Sequence, residues 1–363
     1  MYNDSFLEKR LSERVAANAL RVLTKKKEGV DFCSNDYLGI ATKRLLQHAD
    51  LMLETGSGGS RLLAGNYDLI EETEQIVSKF HNAQAGIIYN SGYDANIGLL
   101  SAIANRSDII LYDQLSHASL RDGIVLSKAQ AFAFKHNDLE DIERKLQLRT
   151  GGNCFIVTES LFSMDGDSCD ITQLVALAKR YDAHLIIDEA HATGIVGNRG
   201  EGLVQLHNCE ENIFARVHTF GKALGCHGAI VLGSHTLKNY LINFSRSLMY
   251  TTSLPSQSVA AIKASYQLFP TMDVERAHLA SLVKHFQHAP IRYPKINSNT
   301  AIQGVVIPGN AAVKAVAAQL QEAGMDVRPI LYPTVPKGEE RLRIILHAFN
   351  SVSQLNVLIG LLQ

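Results

Sequence analysis

From about residue 69 to residue 232 this chain alternates short apolar runs with stretches of helical periodicity, and five of the apolar runs stop at a polar cluster. Leu69 to Phe80, Asp138 to Leu148 and Ile171 to Tyr181 carry helical spacing. Ala85 to Tyr89, Ile109 to Tyr112, Phe155 to Thr158, His184 to Ile187, Ala215 to Thr219 and Ala229 to Leu232 read as strands. Runs this short and continuous, separated by helices, predict an α/β domain around a mostly parallel sheet. Open α/β sheets bind ligands at the carboxyl ends of their strands. The polar clusters stand there: Asn90 to Tyr93, Asp113 to His117, Glu159 to Asp165, Asp188 to His191, and Lys222 just past Thr219.

The pattern changes near Pro270. A helix over Val274 to Gln287, strands at 301–307 and 341–346, and helices at 311–323 and 351–362 predict a smaller C-terminal α/β domain. Ahead of the alternating region, Leu7, Leu11, Val15, Ala19 and Val22 recur at helical spacing and predict an amphipathic helical arm over 6–23. The expected division is an arm over 1–45, a large domain over 46–270 and a small domain over 271–363.

The formal net charge of −1 provides no basic field for nucleic acid or an anionic membrane. The one dense basic run, Lys25-Lys26-Lys27, reads as a solvated helix end. No apolar run reaches the roughly 20 residues of a membrane span, and the first residues lack the pattern of a secretory signal. The five cysteines are scattered without a CxxC, so no disulfide framework or zinc site is expected. A cytoplasmic setting is the simplest expectation.

Asp188 ends an apolar strand, and Lys222 follows the next one in a small-residue turn with Gly221 and Gly225. A strand-end acid and lysine in this order suit pyridoxal 5'-phosphate: the lysine makes a Schiff base, and the acid keeps the pyridine nitrogen protonated. His117 offers an imidazole that can stack on a cofactor ring and move protons. Asn90-Ser91-Gly92-Tyr93 leads from a strand into a helix-like run, and helix N-termini suit phosphate. Gly56-Ser57-Gly58-Gly59-Ser60-Arg61 reads as a tight loop near substrate. Asp188-Glu189-Ala190-His191 also spells a helicase box, but no GxxxxGK[ST] loop accompanies it. Asp165-Gly166-Asp167 reads as a turn rather than a calcium loop.

With these residues in view, the chain resembles the α-oxoamine synthases, pyridoxal phosphate enzymes of the aspartate-aminotransferase fold (fold type I). The likeness runs through Ser34 to Gly39, GSGGSR (56–61), SHASL (116–120), TESLFSMDGD (158–167), DEAHATG (188–194), TFGK (219–222), YTTSLP (250–255) and RLRI (341–344). It implies that Lys222 holds the cofactor and that Asp188 pairs with the pyridine nitrogen. His117 would stack on the ring, with His191 and Ser163 near its phenolic oxygen. Gly92, Tyr93 and Thr219 would lie at the phosphate, which Thr251 and Thr252 would reach from the neighbouring subunit of a homodimer. Arg343 matches the arginine that holds a substrate carboxylate, and Arg21, Asn35 and Ser60 are the further substrate candidates. The reaction implied is a decarboxylating condensation of a small amino acid with an acyl thioester carried by coenzyme A or acyl carrier protein. L-Alanine with a pimeloyl thioester is the first expectation and a glycine- or serine-using synthase the alternative. A plain aminotransferase is a further reading. Two segments depart from the family wording: the stretch after Gly65, where a histidine is frequent, reads Asn66-Tyr67-Asp68-Leu69-Ile70, and Leu331-Tyr332 precede Pro333 where an arginine is frequent.

Overall fold

The computed structural model describes residues 4–23, 25, 28–46, 53–149 and 151–363. The elements run in chain order as α1 (Ser5–Ala16), β1 (Val30–Asp31), α2 (Asp68–Phe80), β2 (Ala85–Tyr89), α3 (Gly92–Ile103), β3 (Ile109–Asp113), α4 (Ala118–Ser127) and β4 (Gln130–Phe134). Next come α5 (Leu139–Gln147), β5 (Cys154–Glu159), α6 (Ile171–Arg180), β6 (His184–Asp188), α7 (Leu203–Leu206), β7 (Ala215–Thr219), β8 (Ala229–Gly233), α8 (His235–Phe244), α9 (Arg246–Met249) and α10 (Ser256–Leu268). The chain closes with α11 (Asp273–His288), β9 (Ile302–Val306), α12 (Asn310–Glu322), β10 (Met325–Asp326), β11 (Arg328–Ile330), β12 (Arg341–Ile345) and α13 (Val352–Leu361).

These elements form two compact units. The larger spans 38–163 and 168–276; the other joins 1–37, 164–167 and 277–363.

The larger unit is built on a seven-stranded sheet of order β2-β8-β7-β6-β5-β3-β4. Only β8 runs against the others. Successive residues of a strand point to opposite faces, so each run feeds two cores. Phe155 and Val157 pack with Leu99 of α3, Leu120 of α4 and Leu241 of α8 on one face. Cys154 and Ile156 pack with Ile142 of α5 and Leu174 of α6 on the other. Burying an aliphatic side chain in this way contributes about 1.5–3 kcal/mol. A strand covered on both faces is therefore mostly apolar; β7 is the exception, carrying the buried Arg216 and His218 between Ala215, Val217 and Thr219. Helix starts are marked by acceptor side chains: Ser91, Asp138, Asp170 and Ser234 each accept a backbone N–H from the first turn.

In the other unit, β11-β12-β9 form an antiparallel sheet and β1 pairs in parallel with β10. Helix α1 ends at Ala16, so the helix expected over 6–23 is shorter than the periodicity suggested. Asn18 takes φ +51, a left-handed conformation that breaks the helix, and Ala19 is buried beyond it. Lys25 lies outside any helix, which corrects the reading of the basic run as a helix end; Lys26 and Lys27 lie outside the described residues.

Candidate active site

The register of the central sheet decides which side chains meet. Glu159 pairs with Asp188 across β5 and β6, and Asp188 with Val217 across β6 and β7. Tyr89 and Thr219 both pair with Ala229 of the intervening β8. The carboxyl ends of β2, β5, β6 and β7 therefore reach the same rim, and each passes directly into one of the polar clusters.

Asp188 is buried and held by two donors. Its Oδ2 accepts from Asn96 Nδ2 at 2.7 Å and its Oδ1 from the Ala190 N–H at 2.8 Å. Asn96 lies inside α3 and also donates to Ser119 Oγ at 3.0 Å. Ser119 in turn touches His117 Nδ1 at 2.7 Å, and that nitrogen accepts the Ser119 N–H at 3.2 Å. Nδ1 as acceptor leaves the ring proton on Nε2, so one chain of contacts fixes His117 relative to Asp188. Partial desolvation draws the His117 imidazole below its usual value; Asp188 opposes this, Lys222 adds to it and Asp122 opposes it.

Glu159 is a member of this cluster that sequence reasoning did not assign a role. It is buried, and its Oε1 accepts the His117 N–H at 2.7 Å. Burial and then the Asp188 charge push its carboxyl up to about 8, against the pull of the His117 N–H and of Lys222. The same two groups, Asp188 and Lys222, thus act on both His117 and Glu159, which places the four within electrostatic reach.

Lys222 sits half-buried in a turn closed by Gly225 N–H to the Lys222 carbonyl at 2.9 Å and by Cys226 N–H to the Phe220 carbonyl at 2.8 Å. Gly225 has φ +66, and a Cβ there would come within 2.7 Å of the Ala41 nitrogen, so the turn requires glycine on both counts.

At α3 the first-turn N–H groups of Gly92 and Tyr93 have no acceptor within the helix. A Cβ on Gly92 would come within 2.5 Å of Thr219 Cγ2, so the turn and Thr219 are closely apposed. Thr219 Oγ1 donates to the Ala190 carbonyl at 3.4 Å. His191 is buried beyond Ala190, and Ser163 is half-buried past the end of β5.

Ser60 ends a loop tied to the 251–254 segment. Ser57 Oγ donates to the Ser253 carbonyl at 2.9 Å, and the Ser253 N–H to the Gly59 carbonyl at 3.0 Å. Arg61 pairs with the buried Glu74, and its Nε donates to Asn66 Oδ1 at 2.9 Å. Asn66, which opens the segment that departs from the family wording, is therefore a partner of Arg61. Within this chain Thr251 and Thr252 lie beside Asn90, whose Nδ2 donates to Thr251 Oγ1 at 3.2 Å and to the Thr252 carbonyl at 2.8 Å.

The remaining candidates belong to the other unit. Arg343 on β12 donates to Asn35 Oδ1 at 3.0 Å, and Asn35 Oδ1 also accepts from Tyr37 Oη at 3.3 Å. Arg21 is exposed and donates to Thr334 Oγ1 at 3.2 Å. Asp165 pairs with Arg341, and Gly166 takes φ +72 with its carbonyl accepting from Ser298 and Thr300 at 2.9 Å, as a turn requires.

The larger unit fits pyridoxal phosphate on its own geometry. It offers a buried carboxylate oriented by two donors, a half-buried lysine in a glycine turn, an imidazole and a helix N-terminus with unsatisfied N–H groups. Fold and site together define a pyridoxal phosphate enzyme.

A family profile for aminotransferases of class I and II matches residues 27–362. The 8-amino-7-oxononanoate synthase of Emericella nidulans is 38% identical over 97% of this chain and 92% of its own length. A putative 8-amino-7-oxononanoate synthase of Geobacillus kaustophilus is 40% identical over 94% of this chain and 90% of its own. Among solved structures, the serine palmitoyltransferase of Sphingomonas wittichii is similar with a TM-score of 0.89 at 27% identity, covering 99% of this chain and 96% of that one. The 8-amino-7-oxononanoate synthase of Francisella tularensis gives 0.78 at 26% identity, covering 92% and 96%. The chain belongs to the aminotransferase class I and II family and, within it, to the α-oxoamine synthases typified by 8-amino-7-oxononanoate synthase.

Proposed function

We propose that this chain condenses L-alanine with a pimeloyl thioester, giving 8-amino-7-oxononanoate, carbon dioxide and free thiol in biotin synthesis. The observation that carries this reading is identity of 36–40% to synthases of that name along 90–97% of the chain. The thiol carrier is coenzyme A or acyl carrier protein. The enzyme acts as a homodimer in the cytoplasm.

When bound, pyridoxal phosphate supplies the electron sink that makes the amino acid's α-hydrogen acidic. Lys222 would hold it through Nζ, and the same Nζ is the base this chain offers for that proton. Asp188 holds a proton at the pyridine nitrogen, and the two donors on its carboxylate keep it aimed there. His117 would lie against the cofactor and shield it from water. His191 and Ser163 approach the phenolic oxygen. Gly92, Tyr93 and Thr219 hold the phosphate, with Thr251 and Thr252 reaching it from the neighbouring subunit. Arg343 binds the substrate carboxylate by its guanidinium fork, with Asn35 orienting it; Arg21 and Ser60 border the substrate.

The similarity to serine palmitoyltransferase, at a TM-score of 0.89, favours a second reading with serine as the amino acid. Thiol and carbon dioxide release, measured with each pairing of alanine, glycine or serine and pimeloyl or palmitoyl thioester, separates the two. Highest kcat/KM for alanine with pimeloyl thioester is expected; preference for serine with the palmitoyl thioester would replace it. Lys222→Ala is expected to lose at least about 10³-fold in turnover together with the visible absorbance of lysine-bound cofactor. A variant that keeps both would overturn the site.

A further inference from the structure

Asn90 stands between β2 and Ser91, the cap residue of α3, and its side chain bonds to residues distant in sequence. Its amide nitrogen donates to Thr251 Oγ1 at 3.2 Å and to the Thr252 carbonyl at 2.8 Å. Residue 253 continues the connection: the Ser253 N–H donates to the Gly59 carbonyl at 3.0 Å, and Ser57 Oγ returns a bond to the Ser253 carbonyl at 2.9 Å. Tyr67 Oη fastens the next residue through the Leu254 carbonyl at 2.8 Å. The packing is close as well, since a Cβ on Gly65 would come within 2.1 Å of the Gly59 oxygen and 3.0 Å of Ser253 Cβ. Three segments far apart in sequence are thereby joined: the turn before α3, residues 251–254 and the 56–61 loop. Bonds on either side frame this connection, with Ser247 Oγ donating to the Asp94 carbonyl of α3 at 2.6 Å and Ser256 Oγ to the Glu54 carbonyl at 2.9 Å, while the Asn90 bonds reach residues 251 and 252 themselves.

We infer that Asn90 is a positioning residue that holds segment 251–254, and through it the 56–61 loop, in fixed register with the N-terminus of α3. The inference rests on the reading of that N-terminus as the phosphate site and of the 56–61 loop as a border of the amino-acid subsite. The two ends of the latch are then the cofactor's anchor and the substrate's wall. Cutting it at either end is expected to loosen the amino acid's wall and, through Thr251 and Thr252, to slacken the phosphate contact read for the neighbouring subunit, with the amino acid the more affected.

The test is a double-mutant cycle on the holoenzyme with Asn90→Ala and Ser57→Ala. The readout is the alanine concentration giving half of the change in the cofactor's visible absorbance, beside kcat, KM and Tm. Each single variant is expected to raise that concentration about tenfold, as for one net hydrogen bond, with kcat within about threefold. The double variant is expected to add little, because both bonds belong to one chain of contacts. An unchanged half-saturation in either variant would overturn the inference, as would independent effects that multiply to about a hundredfold. A general loss of folding lowers Tm and kcat together and does not give this split. If the unmodified enzyme answers to serine or glycine instead of alanine, the functional reading fails on that control, and the same cycle is run with the amino acid that binds.

Discussion

Glu159 and Asp188 are register partners on adjacent parallel strands, so two buried carboxylates stand side by side at the rim that carries Lys222 and His117. Two adjacent acids resist ionising together. Burial, with the Asp188 charge second, moves Glu159 up to about 8. The consequence is that Glu159 keeps its proton into the neutral range, beside an Asp188 carboxyl that accepts from two donors.

This shift predicts a pH dependence. An acid raised in the fold stabilises it fully below its unfolded value near 4.5, and that contribution is lost as pH rises through about 8. The Tm of cofactor-free protein is expected to fall over that window, and Glu159→Gln is expected to flatten the fall. Equal slopes in the two proteins would show that Glu159 ionises normally.

A second dependence has the opposite sign. His81 and His218 stack with ring centroids 3.9 Å apart in the interior of the larger unit. Burial first, and then the neighbouring Arg216 for His81 or His81 itself for His218, holds both imidazoles well below 6.5. Their neutral forms stabilise the fold above pH 6.5, and the contribution is lost as pH drops below that value. His218→Phe keeps a ring in the stack and is expected to reduce the acid-side slope of stability by about one proton. Urea unfolding on the acid side of neutrality, compared with neutral pH, measures it.

Gly92 and Thr219 offer a steric test. A methyl group on residue 92 would meet Thr219 Cγ2 at 2.5 Å. Gly92→Ala is expected to weaken pyridoxal phosphate binding by about tenfold or more, the scale of 1–3 kcal/mol for overpacking. Adding Thr219→Ser removes that methyl, keeps the hydroxyl, and is expected to restore most of the affinity. Cofactor titration of the single and double variants decides; no recovery would mean that the contact is not the cause.

Glu74 predicts a stability effect away from the chemistry. It is buried, accepts the Ile88 N–H at 2.9 Å, and binds both Arg61 and, at 2.7 Å, Lys238. Removing one member of a buried ionic group leaves charge uncompensated, so Glu74→Gln is expected to cost about 3 kcal/mol. Thermal or denaturant unfolding reads it directly, and a change under about 1 kcal/mol would place the pair with ordinary surface ion pairs.

Much of the fold was legible because burial on both faces leaves a simple mark. The six runs read as strands of the central sheet agree with the structure within one or two residues at each end. Strand β4, Gln130–Phe134, was missed: it is an edge strand with four of its five residues exposed, so neither an apolar run nor an inside-outside alternation marks it. Helix α10 escaped notice because serine and alanine interrupt its apolar face, leaving Val259, Ile262 and Tyr266 to be recognised only once they are packed. At the candidate site, Lys222 and Asp188 could be singled out from their place at strand ends. Glu159 and Asn96 could not. A glutamate after a strand becomes notable only when its burial is known, and an asparagine within a helix only when its partner is.

The candidate chemistry hangs from the rim of the sheet, while the sheet itself is lined mostly with aliphatic residues. Divergence can then proceed in two separate compartments. The interior can trade one branched side chain for another as long as volume is kept, and a handful of rim loops can be rewritten for a new amino acid or acyl chain without disturbing the strands that present them. A chain of this kind can drift far in its letters and still hand its cofactor the same set of groups.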